Sequence, residues 1–141
     1  MKSLVWLRND LRMDDNPALK HACLNSDEVH CLYLYQPDQM KLHNVASCKI
    51  EFIIENLKDL ESSLSKINVP LTVITSKCFD DCPNLIIDVI NKRSIKKVYW
   101  NNQFGFDEQR RDSAVKDVLD RNNIYNESFD DQVIYLSLIH I

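Results

Sequence analysis

Arg8, Asp10 and Arg12 alternate within five residues, and Asp14 and Asp15 follow at once. Two chemistries fit that spacing. A guanidinium donates through a rigid planar fork, so the arginines could grip an anionic ligand. The same charges could instead close on one another as an internal ion-pair set that fixes a turn. The second reading is preferred, because breaking one side of a buried pair costs roughly 3–5 kcal/mol, which gives such a set a structural purpose without catalysis. Other reactive side chains are scattered. Cysteines stand at 23, 31, 48, 78 and 82, with no Cys-x-x-Cys, and histidines at 21, 30, 43 and 140 show no ligand spacing. An odd number of unclustered thiols reads as reduced cysteine in a cytoplasmic protein, with no metal site. Gly105 is the single glycine. A dinucleotide fingerprint or a P-loop needs several glycines at set positions, so neither is present. Any ligand must be held by side chains and helix ends.

The elements around these residues follow from hydrophobic period and turn chemistry. Ser3–Arg8 reads as a strand that breaks into the charged loop, and Asn16-Pro17 opens a helix to about Leu24, with Asn16 as N-cap. A second strand covers Val29–Tyr35, and Gln36 to Ser47 reads as loop. Ile53, Leu57, Leu60, Leu64 and Ile67 then step by four and three along one helical face. Leu71–Thr75 is a third strand. Asp81 and Pro83 start a helix that buries Leu85, Ile86, Val89 and Ile90. Lys97–Trp100 is a fourth strand, a helix runs from near Asp107 to near Arg121, and Asn126–Phe129 is a fifth strand. Strand and helix alternate throughout. That order predicts an α/β fold: a Rossmann-like, doubly wound, five-stranded parallel sheet with helices on both faces.

Composition narrows the function classes. The chain has 141 residues, enough for one domain, with 45% hydrophobic and 27% charged residues and a net charge of −4. Basic and acidic residues are interspersed, which argues against nucleic-acid binding by this segment on its own. No apolar run approaches the roughly 18 residues of a membrane span, and the N-terminus has no secretory pattern.

Trp6, Arg8, Asp10, Leu11, Arg12, Asp15, Asn16, Ala18 and Leu19 form an ordered opening motif that resembles the DNA photolyase and cryptochrome family. Phe52-Ile-Ile-Glu-Asn-Leu-Lys-Asp-Leu60 resembles the helix after the antenna loop, and Val69-Pro-Leu71 the entry to strand three. Val98-Tyr-Trp-Asn-Asn-Gln-Phe104, with Asp107-Glu108 and Arg111-Asp112, resembles the fourth strand and its helix. Phe129-Asp-Asp-Gln-Val-Ile134 resembles the exit from the sheet. The resemblance covers residues 1–135, while Leu136-Ser-Leu-Ile-His-Ile141 departs from it. The family's FAD-binding helical domain has no counterpart in these residues. Lys49 stands where the family often has an arginine.

The resemblance implies the N-terminal antenna-binding domain of a deoxyribodipyrimidine photolyase. The family's full-length enzymes split cyclobutane pyrimidine dimers with light, through FAD in the helical domain, and damaged DNA is bound there as well. The segment itself would seat an antenna, methenyltetrahydrofolate or a deazaflavin, and would not be catalytic alone. Carried over residue by residue, His43, Asp107 and Glu108 would contact that antenna. A carboxylate at Glu108 accepts two parallel N–H bonds, as a 2-amino-pyrimidinone edge offers. Asp107 stands where many relatives carry Asn, and an ionised Asp only accepts. Read without the resemblance, both acids suit the positive end of a helix as caps, and His43 is a solvated loop residue.

Two other readings stand beside this one. A cryptochrome photoreceptor shares these N-terminal motifs, and the residues that separate the two surround the flavin and the DNA. An unrelated nucleotide-binding α/β domain would need a glycine-rich phosphate loop after strand four, which Asn101–Phe106 does not offer. Without a helical domain to cover it, apolar surface is expected to drive self-association.

Overall fold

The computed structural model describes residues 1–8, 10–13, 15–42 and 46–130. Five strands form one parallel sheet: β1 (Lys2–Leu7), β2 (Glu28–Tyr35), β3 (Leu71–Thr75), β4 (Lys97–Asn101) and β5 (Tyr125–Phe129). Their spatial order is β3-β2-β1-β4-β5. The helices are α1 (Pro17–Asn25), α2 (Pro37–Leu42), α3 (Ser47–Ser65), α4 (Cys82–Arg93) and α5 (Phe106–Arg121). The expected Rossmann-like, doubly wound sheet is therefore what the chain forms.

The two layers follow from the period of two along each strand. On β1, Leu4 and Trp6 face one core and Val5 and Leu7 the other. The first core also takes Leu32, Val98 and Trp100 from the sheet, and packs against Ile86, Val89 and Ile90 of α4 and Val115 and Leu119 of α5. The second takes Cys31, Tyr33 and Tyr99, and packs against Ala18, Leu19 and Ala22 of α1 and Leu57, Leu60 and Leu64 of α3. β1 is buried on both faces because it lies at the centre of the sheet.

Three details depart from the sequence reading. Pro37–Leu42, expected as loop, is a short helix with Pro37 at its start and Asp38 in its first turn. α3 stops at Ser65, so Ile67 leaves the apolar stripe and is 47% exposed, while Asn68 turns the chain through φ 60°. Leu85 is only partly buried at the rim of its core.

Strand order reverses between β1 and β4, the strands laid down on either side of the crossover. In open α/β sheets such a switch point leaves a crevice at the carboxyl ends of the strands. The charged loop after β1 sits there.

Candidate functional site

A cleft of about 170 Å³ opens beside that switch point. Leu7 and Arg8 reach it from the end of β1, Tyr33 and Leu34 from β2, Lys49 and Ile53 from α3, and Glu108 and Arg111 from α5. Trp6 and Phe79 add aromatic surface, and Gln36, Gln39 and Gln103 add amides. An apolar wall carrying a few convergent polar groups is the usual make-up of a small-molecule site.

The cationic floor is built as one unit. Arg8 Nη1 donates to Asp112 Oδ1 at 2.6 Å, and Arg111 Nε donates to the same oxygen at 3.0 Å. Arg8 Nη2 also donates to the carbonyl of Asn101, and Arg111 Nη2 to Gln103 Oε1. Both guanidiniums lie over the indole of Trp6, at 4.5 and 5.1 Å from the ring centroid, and Arg111 is 4.5 Å from that of Phe79. Aromatic faces attract cations, which offsets part of the cost of burying these charges. Burial, and then the charge of Arg8, lower the Arg111 pKa, which Asp112 raises in turn. Arg8 Nε is buried with no hydrogen-bond partner among the described residues.

The amides tie the cleft to the segment after β3. Gln36 Nε2 reaches Ser76 Oγ at 3.0 Å and the carbonyl of Cys78 at 2.5 Å, and the backbone N–H of Phe79 donates to Gln39 Oε1 at 3.2 Å. Gln36 Nε2 also lies 3.3 Å from Cys82 Sγ. Desolvation pushes the Cys82 thiol up to about 11 and the Tyr33 phenol up to about 12, so both stay protonated near neutral pH.

The expected ion-pair loop is rearranged. Arg8 finds its carboxylate on α5 rather than in its own loop. Asp10 accepts from the backbone N–H of Arg8 at 2.8 Å and from Asn101 Nδ2 at 2.6 Å. Arg12 is exposed and donates to the carbonyl of Asp15 at 2.9 Å. Of the residues expected at an antenna, Glu108 lines the cleft, half-buried. Asp107 is exposed and lines a neighbouring cavity, on the far side of Phe79 and Arg111. His43 lies outside the described residues. Lys49 also lines the cleft. Arg111 and the three glutamines were not singled out as site residues. Arg111 had a signal, since it stands three residues after Glu108 and therefore shares its helical face. The glutamines had none. Among the described residues, no group of three His, Cys, Asp or Glu could hold a metal ion, and no helix is long and apolar enough to cross a membrane.

The DNA photolyase family model matches residues 3–137. The chain belongs to the DNA photolyase family. The deoxyribodipyrimidine photo-lyase of Escherichia coli is 35% identical over 132 residues, which are 93% of this chain and 28% of that protein. Cryptochrome-1 of Spalax judaei is 36% identical over 117 residues, 82% of this chain and 19% of that one. An archaeal photolyase structure from Sulfolobus tokodaii superposes with a TM-score of 0.76 at 22% identity, covering 92% of this chain and 29% of its own. That structure holds two FAD molecules, with the implication of a novel light-harvesting cofactor. The chain thus spans under a third of the length of these photolyase-family proteins and corresponds to their N-terminal α/β domain.

Proposed function

We propose that this chain is the antenna-binding domain of a light-dependent DNA photolyase, and that the cleft between β1, β2, α3 and α5 seats the antenna. The observation that carries the reading is Glu108 on one wall of a cleft floored by Arg8 and Arg111, in a chain of this family. The lining suits a planar, hydrogen-bonding chromophore. Tyr33 and Phe79 offer ring surface, Glu108 accepts paired N–H groups, and Arg8 Nε is a buried donor with no partner among the described residues. Lys49, Arg8 and Arg111 favour a ligand with an acidic or phosphate tail. At about 170 Å³ the cleft is smaller than the 300–1,000 Å³ usual for small-molecule sites, so it would enclose a ring system and leave the rest outside.

A bound antenna absorbs light and passes the excitation to a flavin. The protein's share of that work is geometric: to hold the ring in one orientation and to keep water from its polar edge. Dimer splitting, flavin binding and contact with damaged DNA would belong to the helical part of a complete photolyase. A cytoplasmic setting accords with the dispersed free thiols. A cryptochrome photoreceptor is the second reading, favoured by the likeness to cryptochrome-1.

Titration of the purified chain with methenyltetrahydrofolate, and separately with FAD and a deazaflavin, tests the site through absorbance and fluorescence. Binding that falls about ten-fold or more in Glu108→Ala, at an unchanged melting temperature, is the expected result, because a hydrogen bond to a charged group contributes roughly 1.5–3 kcal/mol. Equal binding by wild type and Glu108→Ala would remove Glu108 from the site. Preference for the flavins over the folate would name the antenna class.

A further inference from the structure

We propose that Gly105 is a positioning residue of the cleft: its bare α-carbon admits the Glu108 carboxylate, and a β-carbon there would turn that carboxylate away. The inference rests on the reading of Glu108 as a cleft contact. Gly105 is the N-cap of α5, with φ −63° and ψ 153°, and its carbonyl accepts from the backbone N–H of Gln109 at 2.9 Å. Any residue can adopt that backbone conformation. Conformational freedom therefore does not explain a glycine here, and its role as N-cap does not either, since Ser, Asp or Asn would cap the helix better.

Space does explain it. Glu108 is the third residue of the helix, placed to fold back over the N-cap as in a capping box. A β-carbon built on Gly105 would collide with Glu108 Oε2 and lie 2.7 Å from its Cδ. The colliding atoms are the far end of a flexible side chain. Gly105→Ala would thus leave the helix in place and swing the carboxylate out of its seat, away from the wall that it gives the cleft. The neighbours Phe104 and Phe106 are exposed, at 42% and 82%, so packing around residue 105 leaves the backbone little else to resist the change.

The contact can be read directly in the full chain. Proton NMR of the wild type should show a nuclear Overhauser effect between the Gly105 α-protons and the Glu108 γ-protons. In Gly105→Ala the Glu108 γ-protons should lose their proximity to residue 105, while the α5 amide shifts and the melting temperature stay close to wild type. Methenyltetrahydrofolate binding should weaken on the order of ten-fold, as for Glu108→Ala. Gly105→Ala placed in the Glu108→Ala background should add almost nothing, because the methyl group then meets no carboxylate. A purely structural glycine would instead give the same loss in both backgrounds. Absence of the wild-type contact, or a Glu108 side chain that keeps its place in the Gly105→Ala variant, overturns the proposal. If the contact behaves as expected but the folate binds all variants alike, or none, the positioning of Glu108 stands and the antenna reading fails.

Discussion

Two guanidiniums and one carboxylate share the floor of the cleft, and their arithmetic decides what a single substitution does. Asp112 accepts from both Arg8 and Arg111, and the three side chains are about 4–11% exposed. Asp112→Asn leaves two buried cations facing each other, which should cost about 3–5 kcal/mol in urea unfolding at neutral pH. Arg8→Ala should cost less than Asp112→Asn, because Arg111 still pairs with the carboxylate it leaves behind. Arg12→Ala should stay within about 0.5 kcal/mol, as expected for an exposed side chain. A loss at Arg12 as large as that at Asp112 would restore the loop-centred ion-pair set. The sequence alone could not separate these arginines. The Arg-x-Asp-x-Arg pattern shows alternating charge, but the partner of Arg8 stands 104 residues further on. Periodicity reports which face a residue takes, and says nothing of which distant residue meets it.

At the scale of elements, two asparagines build the start of α1. Asn16 Oδ1 accepts from the backbone N–H of Leu19 at 3.2 Å, and Asn101 Oδ1 accepts from that of Ala18 at 3.1 Å. Pro17 has no N–H to satisfy, so the first three helical positions are complete. Asn101 Nδ2 closes the set on Asn16 Oδ1 at 2.7 Å and on Asp10 Oδ2 at 2.6 Å. One side chain therefore joins the end of β4, the loop after β1 and the first turn of α1. Asn16→Ala should cost roughly 1–2 kcal/mol, the usual range for a lost cap. Asn101→Ala should cost more, since it takes the donor from Asp10 Oδ2 as well as the acceptor from a helix N–H. The double variant should cost less than the sum, because both side chains serve one network. Full additivity in thermal unfolding would mean that the two asparagines act independently. Asn16-Pro17 was legible as a helix start, because that signal is local. Asn101 was not, because its role exists only once β4 lies beside β1. α2 was missed for a different reason: six residues are too few to show a helical period.

For the molecule as a whole, alternation of strand and helix made the sheet legible, and the motifs made the family legible. Of the residues that line the cleft, the family motifs name Glu108 as an expected contact and none of the glutamines, so the glutamines were not legible. Phe52, Phe104 and Phe106 are large exposed apolar side chains. Self-association is the expected consequence, and a concentration-independent monomer in light scattering would count against it. The cores make a further prediction about pH. Burial pushes the Cys31 thiol up to about 12, the Cys82 thiol up to about 11 and the Tyr33 phenol up to about 12. Below their ordinary values of 9.0 and 10.0 all three are protonated in both states, and the stability they contribute is fully present. As pH rises past 9 the unfolded chain releases these protons first, while the folded chain holds them until about 11 to 12. Each group then lowers stability with a slope approaching about 1.4 kcal/mol per pH unit. The urea midpoint should be level from about pH 7 to 8.5 and should fall between about pH 9 and 11. Cys31→Ala should flatten part of that fall, since it removes the acidic group and keeps the site apolar. A midpoint that holds steady to about pH 11 would show that water reaches these groups in the folded chain, and that the second core opens around Cys31 and Tyr33.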